Sequence, residues 1–206
     1  ILGDEYVPVL IDMQSILDAG TAAFLFTIAK AVCNALKSRG FKMPAPQFSD
    51  FVERPGIVFR EEFLTQVLEM IGDRTLILMF DEFELLDEFV QQGKLDQGIF
   101  NYLRNLMQHS DRLDFAFAGT HKLEEMSGDY WSILFNMALY KKVGFLDPED
   151  ARQLISRPVS KHFEYDELAI DKIIWATAGH PHFTQLLCHH LVTYSNRKEL
   201  TYITVG

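Results

Sequence analysis

Apolar and polar positions recur along the chain with two different periods, which divide it into strand-like and helix-like segments. Short apolar runs rich in β-branched and aromatic residues predict strands, and these runs are Tyr6–Ile11, Thr75–Phe80, Leu113–Ala118 and Tyr140–Leu146. Apolar residues three or four positions apart predict helices, and these segments are Thr21–Ser38, Phe59–Ile71 and Ile99–Gln108, with a helical or irregular stretch at Tyr130–Ala138. Strands that alternate with helices predict a doubly wound α/β fold with a parallel sheet. The unbroken apolar run Thr75–Phe80 predicts a strand covered on both faces.

The pattern changes after Leu146, where helices follow one another without strands. Asp147, Pro148 and Glu149 together form a strong helix start, because they supply an N-cap, a first-turn proline and a first-turn acid. Two further helical stripes follow, at Asp166–Ala178 and Pro181–Ser195. The sequence therefore predicts an incomplete α/β core over residues 1–146 and a small all-helical subdomain over residues 147–206.

Composition and charge narrow the class of protein. Apolar residues make up 48% of the 206 positions and charged residues 23%, which is typical of a globular protein. No apolar run approaches the length of a membrane span, and two cysteines are too few for a secreted disulfide scaffold, so we expect a cytoplasmic protein. With 19 basic and 29 acidic residues the net charge is −10, which argues against nucleic-acid binding through the overall field.

The acidic charge is concentrated in one stretch. Between Glu53 and Glu88 there are ten acids and three bases, so seven of the ten net negative charges lie there. Such a run is typical of a solvated acidic face. It is also compatible with acids that surround a metal–nucleotide site, and both interpretations stay open at this point.

The residues that best suggest chemistry follow two of the predicted strands. Asp81 and Glu82 come directly after the run Thr75–Phe80, and Gly119-Thr120 follows the next strand. Ligands of open α/β sheets bind at the carboxyl ends of the strands. An Asp there can hold the water shell of Mg²⁺ on a nucleotide, a Glu can activate an attacking water, and a Thr hydroxyl can contact a γ-phosphate or its water. A strand that ends in acids at a loop, and a Thr that serves a turn, are the plainer alternatives.

A second group of candidate residues joins the last two predicted helices. Ala178-Gly179-His180-Pro181 contains a glycine suited to end one helix and a proline suited to begin the next. These structural roles alone explain the motif. Nearby, His180, His182, His189 and His190 suggest a metal site, but none of them is four residues from another, which is the spacing that would place two zinc ligands one turn apart on a helix face.

Taken in order, these motifs resemble the prokaryotic STAND ATPases, which are AAA+-like P-loop NTPases. The stretches that carry the resemblance are YVPVLIDMQ (Tyr6–Gln14), LILMFDEFELL (Leu76–Leu86), FAFAGT (Phe115–Thr120), FLDPEDARQLISRPV (Phe145–Val159) and ATAGHPHFTQLLCHHLV (Ala176–Val192).

The resemblance implies a role for each candidate residue. Asp81 and Glu82 would be a Walker B pair, with Asp81 on Mg²⁺ through water and Glu82 as the catalytic base. Thr120 would be a sensor that contacts the nucleotide, and Gly179 and Pro181 would form a GxP turn that contacts it from a helical lid. The implied cofactors are ATP and Mg²⁺.

The chain departs from the family's pattern in one place, because it contains no G-x-x-x-x-G-K-[ST] motif. We expect the P-loop to lie upstream of Ile1 in a longer parent, so that this chain alone is inactive as an ATPase. The parent would be a nucleotide-dependent switch that binds a protein partner or itself. The alternative is a protein-interaction module that keeps the fold without binding nucleotide. A DNA-remodelling ATPase would need a basic domain beyond Gly206.

Overall fold

The computed structural model describes residues 3–16, 20–120, 134 and 138–204. The chain forms two compact units, Ile1–Tyr140 and Lys141–Gly206, and each unit has an apolar core of its own. No helix in the described ranges is both long enough and apolar enough to cross a membrane.

The first unit is built on a three-stranded parallel sheet with the order β1-β2-β3. Its strands are β1 (Tyr6–Asp12), β2 (Thr75–Asp81) and β3 (Leu113–Ala118). The structure confirms these three predicted strands, which differ from the prediction by no more than one residue at an end. It also confirms that they are parallel, so the three carboxyl ends lie at one edge of the sheet.

The helices of the first unit follow the predicted pattern, with additions. They are α1 (Thr21–Ser38), α2 (Phe48–Phe51), α3 (Pro55–Ile57), α4 (Thr65–Ile71), α5 (Leu85–Gln91) and α6 (Gly98–His109). The helix predicted at Phe59–Ile71 begins earlier, and its middle, Val58–Leu64, is a π-helix between α3 and α4. The short helices α2 and α5 were not predicted, because segments of four and seven residues contain too few turns to show a period.

The sheet is well covered on one face only. Leu76, Leu78 and Phe80 of β2 are buried, whereas Ile77 and Met79, which point the other way, are half-buried. On β1 the side chain of Leu10, which pairs with Met79, is 64% exposed. The prediction that helices cover both faces of β2 was therefore wrong. Right-handed crossovers between strands in sequential order place both connections on the same face, and this accounts for the one-sided burial.

The second unit packs three helices, α7 (Pro148–Ser156), α8 (Glu167–Thr177) and α9 (Pro181–Arg197). The predicted start of α7 is confirmed, since the Asp147 side chain accepts a hydrogen bond from the backbone N–H of Asp150 at 2.9 Å. The unit is not all-helical, however. Two short strands, β4 (Glu164–Tyr165) and β5 (Tyr202–Ile203), pair in parallel. Two-residue strands are too short for alternation to predict them.

The fourth strand predicted at Tyr140–Leu146 is wrong, because this segment has no regular secondary structure. Its Val143 side chain is 91% exposed. β-Branched and aromatic residues favour a strand only where a neighbouring strand pairs with the backbone. Most of the stretch predicted to be helical or irregular at Tyr130–Ala138 lies outside the described residues, apart from Ala138 and Leu134, which is buried in the core of the first unit.

Candidate functional site

Three of the five predicted site residues lie at the carboxyl edge of the parallel sheet. Asp81 ends β2 and pairs in register with Ala118, the last residue of β3. Glu82 is the next residue after Asp81, and Thr120 lies two residues beyond Ala118. The Asp81 side chain is exposed at this edge. Its Oδ1 accepts a hydrogen bond from the backbone N–H of Glu82 at 3.1 Å.

Glu82 has an unusual backbone conformation. Its φ is +54°, in the left-handed region, which costs a residue with a side chain about 1–2 kcal/mol. Two hydrogen bonds hold it there: the N–H of the next residue, Phe83, donates to the carbonyl of Ala118 at 3.1 Å, and the carbonyl of Glu82 itself accepts from the N–H of Leu85 at 3.0 Å. The chain thus turns sharply after Asp81 while it remains beside the end of β3.

This turn carries a third acid, Glu84, to the end of β3. The Glu84 side chain is only 7% exposed. Its Oε1 accepts hydrogen bonds from the hydroxyl of Thr120 at 2.8 Å and from the backbone N–H of Thr120 at 3.0 Å. Sequence reasoning singled out Thr120 but missed its partner, and the only available signal was the presence of another acid two residues after Glu82.

Aromatic rings and one glycine bring Glu84 close to β3. The ring of Phe117 stacks on Phe80 with centroids 5.4 Å apart and meets Phe83 edge-on at 6.0 Å. A Cβ on Gly119 would collide with the carboxylate of Glu84 and would lie 2.7 Å from the Phe83 ring. The glycine of the Gly119-Thr120 pair is therefore needed because the segment after β2 passes directly over it.

The charge of this edge is suited to a cation. Asp81, Glu82, Glu84 and Asp87 are four carboxylates in seven consecutive residues, so a bare phosphate would be repelled. Within the described ranges, no three His, Cys, Asp or Glu side chains are grouped so that they could hold a metal ion by themselves. Mg²⁺ usually keeps several waters and binds through one or two carboxylates together with substrate phosphates. The exposed Asp81 oxygens fit such a shared site.

The other two predicted residues, Gly179 and Pro181, lie between α8 and α9 in the second unit. Ala178 and Gly179 have φ values of +50° and +74°, and Pro181 is the first residue of α9. Gly179 therefore has the left-handed conformation that a glycine commonly adopts at the end of a helix. The carbonyl of Gly179 accepts a hydrogen bond from the N–H of Leu146 at 3.0 Å, and a Cβ on Gly179 would lie 2.6 Å from the carbonyl oxygen of Leu146.

The histidines near this turn have packing partners or face solvent. The His180 ring is half-buried and lies 4.5 Å from the Phe183 ring and 4.9 Å from the Phe145 ring, centroid to centroid. His189 and His190 are exposed. Burial raises the pKa of the nearby Cys188 thiol, which makes its thiolate, the metal-binding form, scarcer at neutral pH.

No protein-family model matches the chain, and no curated protein matches it either. The candidate site is therefore interpreted from its own geometry. That geometry brings Asp81, Glu82 and Thr120 together at one edge of the sheet and adds the buried carboxylate of Glu84.

Proposed function

We propose that this chain is part of an AAA+-like ATPase of the STAND type, a cytoplasmic nucleotide-dependent switch. One observation carries the proposal: Asp81 at the end of β2, Glu82 directly after it, and Thr120 after β3 share the carboxyl edge of a parallel sheet. This edge is where open α/β sheets bind their ligands. The residues 147–206 would then supply the helical lid.

Each residue has a chemical role in this proposal. Asp81 would bind Mg²⁺ through its water shell, and the bound ion would neutralise charge on the phosphates of ATP. Glu82 would accept a proton from the water that attacks the γ-phosphate. Gly179 and Pro181 would contact the nucleotide from the lid.

The hydrogen bond to Glu84 refines the role of Thr120. Because the Thr120 hydroxyl proton is donated to the Glu84 carboxylate, the hydroxyl oxygen presents lone pairs to any ligand. Lone pairs accept hydrogen bonds from water and are repelled by phosphate oxygens. We therefore assign Thr120 to the attacking water, or to a water on Mg²⁺, rather than to the γ-phosphate.

The chain lacks residues that could cradle the phosphates, since it has no G-x-x-x-x-G-K-[ST] motif. In this proposal a longer parent supplies that loop, together with a strand and a helix. The half-exposed face of the sheet, where Leu10 and Met79 lie, offers an apolar surface for such an addition. ATP would hold the parent's core and lid together, and hydrolysis would release them, which would bias binding of a protein partner or self-association.

The test is a calorimetric titration of MgATP into the parent protein and into the 206-residue chain. A P-loop contributes several charge-assisted hydrogen bonds of about 1.5–3 kcal/mol each. We therefore expect the parent to bind at least about 100-fold more tightly than this chain. Tight binding by the chain alone would contradict the proposal. A parent that has no P-loop and binds no MgATP would instead support the protein-interaction module.

A further inference from the structure

A polar cleft lies near the amino ends of the strands, at the edge of the sheet opposite Asp81. Its volume is about 610 Å³, which is in the range of small-molecule sites. Arg112, one of its lining residues, immediately precedes the first residue of β3. The six residues of β3 rise about 3.3 Å each, so roughly 20 Å separates this cleft from the edge that carries Asp81 and Thr120. The cleft is thus a separate site.

One wall of the cleft is the π-helix. The segment Val58–Leu64 interrupts an otherwise continuous helix from Pro55 to Ile71. Three of its residues, Arg60, Glu61 and Leu64, line the cleft. Single-turn π-segments are rare and are frequently found at functional sites, because they reposition side chains that an α-helix would present elsewhere.

The opposite wall is the end of α6 and the turn before β3. Arg60 links the two walls, since its Nη1 donates to Oδ1 of Asn105 at 3.2 Å while its Nη2 donates to Glu61 at 2.6 Å. Arg112 is anchored through Nη1, which donates to the carbonyl of Leu68 at 3.1 Å. A guanidinium has five N–H donors. Within the described ranges these bonds use two donors of Arg60 and one of Arg112, so both guanidinium groups retain donors for a ligand.

The lining defines the chemistry of the ligand. Two guanidinium groups suit an oxyanion, which they can bind in bidentate fashion. The hydroxyls of Thr65 and Ser110 add further donors, and Leu64 and Leu68 supply an apolar surface. The acids of the lining, Glu61 and Asp111, balance the charges of the two arginines, so the cleft has no excess positive charge to attract a polyanion such as nucleic acid, and a ligand must be bound through local hydrogen bonds. We propose that this cleft binds a small organic molecule through one phosphate or carboxylate group held between Arg60 and Arg112.

The proposal is tested by NMR titration of the ¹⁵N-labelled 206-residue chain. Sodium phosphate and sodium acetate are the two probes, and sodium chloride at matched ionic strength is the reference. We expect saturable shifts of the amides of Thr65, Asn105, Ser110 and Arg112, with a dissociation constant on the order of 1 mM, as is reasonable for a ligand of about four or five non-hydrogen atoms. If phosphate saturates the shifts and acetate does not, the ligand is phosphorylated. If acetate saturates them and phosphate does not, the ligand carries a carboxylate.

Variants identify the arginines as the cause of binding. Loss of a charge-assisted hydrogen bond typically weakens binding about tenfold or more, so Arg60→Gln should reduce phosphate or acetate affinity by that factor. Arg104→Gln is the matched control, because Arg104 is on the same helix as Asn105 and does not line the cleft. Arg112→Lys keeps a charge and a donor for the Leu68 carbonyl, and we expect a smaller loss.

The same spectra report folding, since a folded variant keeps its dispersed amide signals. In the described ranges, the Arg60 guanidinium bonds only to other side chains, whereas that of Arg112 bonds to the backbone carbonyl of Leu68. We therefore expect Arg60→Gln to fold even if an Arg112 variant does not. Absence of saturable shifts with both probes would overturn the proposal. Equal affinity of the Arg60→Gln variant and the unchanged chain would overturn it as well. Neither result would bear on the site at the carboxyl edge.

Discussion

Glu82 is held in a strained backbone conformation at the point where catalysis would require it. Its φ of +54° is held by the hydrogen bond from the N–H of Phe83 to the carbonyl of Ala118 and by the turn that begins α5. Strain of this kind persists only where the surrounding structure outweighs it, and such residues cluster at functional sites. Asp81 is exposed whereas Glu82 is half-buried, so the two carboxylates have different surroundings, which suits two different roles.

We predict that the left-handed conformation of Glu82 can be detected by comparing two variants without the carboxylate. At an ordinary backbone position alanine is more stabilising than glycine, but at positive φ the order reverses, because only glycine escapes the steric cost. Glu82→Gly should therefore have a free energy of unfolding about 1 kcal/mol higher than Glu82→Ala, as measured by urea denaturation. A more stable alanine variant would mean that the turn after β2 is wrongly described.

The pairing of Glu84 with Thr120 shows why the site could be predicted only in part. Asp81, Glu82 and Thr120 were found because each follows a recognisable strand, and parallel strands bring their carboxyl ends together. Glu84 belongs to no strand, and its contact spans 36 residues of sequence. It depends on the turn at Glu82 and on the absence of a Cβ at Gly119, which no local pattern reveals.

The elements predicted best were those in which one apolar face is buried, because the spacing of the buried residues is visible in the sequence. The bounds of α1 agree at both ends, since its seven buried residues recur with helical spacing. The failure at Tyr140–Leu146 has the opposite cause: its composition favours a strand, but a strand forms only where a partner satisfies its backbone. The π-helix at Val58–Leu64 was also missed, because its apolar residues fit an α-helical period well enough.

The turn between α8 and α9 leads to a prediction about how these two helices are joined. Gly179 has a φ of +74°, and a Cβ there would lie 2.6 Å from a backbone oxygen of Leu146, which cannot easily move aside. Gly179→Ala should lower the free energy of unfolding by about 2 kcal/mol or more. Ala178→Gly, one residue away at a φ of +50°, should instead raise it by up to about 1 kcal/mol.

Thermal and urea unfolding of these two variants supply the measurement. The pair is well matched, because the two positions are adjacent and one substitution adds a methyl group whereas the other removes one. Opposite effects on stability are expected. If Ala178→Gly destabilises the protein and Gly179→Ala leaves its stability unchanged, the two residues do not have the positive φ values given above.

At the scale of the whole molecule, the sequence predicts an α/β part over residues 1–146 and an all-helical part over residues 147–206, and the structure has compact units at Ile1–Tyr140 and Lys141–Gly206. The one-sided cover of the sheet could not be predicted, because the apolar run of β2 is the same whether one or both faces are packed. The half-exposed Ile77 and Met79 show that β2 carries more apolar surface than the described helices bury. In our proposal the parent protein covers this surface.

In our proposal, the carboxyl edge of the sheet takes part in ATP hydrolysis in the parent protein, with Glu82 as the base and Asp81 on Mg²⁺. The most direct test is the steady-state turnover and MgATP affinity of Glu82→Gln in the parent protein, with Asp81→Asn alongside. General-base catalysis typically contributes about 10²–10⁴-fold. We predict that Glu82→Gln lowers turnover by that range with affinity nearly unchanged, whereas Asp81→Asn weakens the Mg²⁺-dependent part of binding. Wild-type turnover in Glu82→Gln would contradict the account.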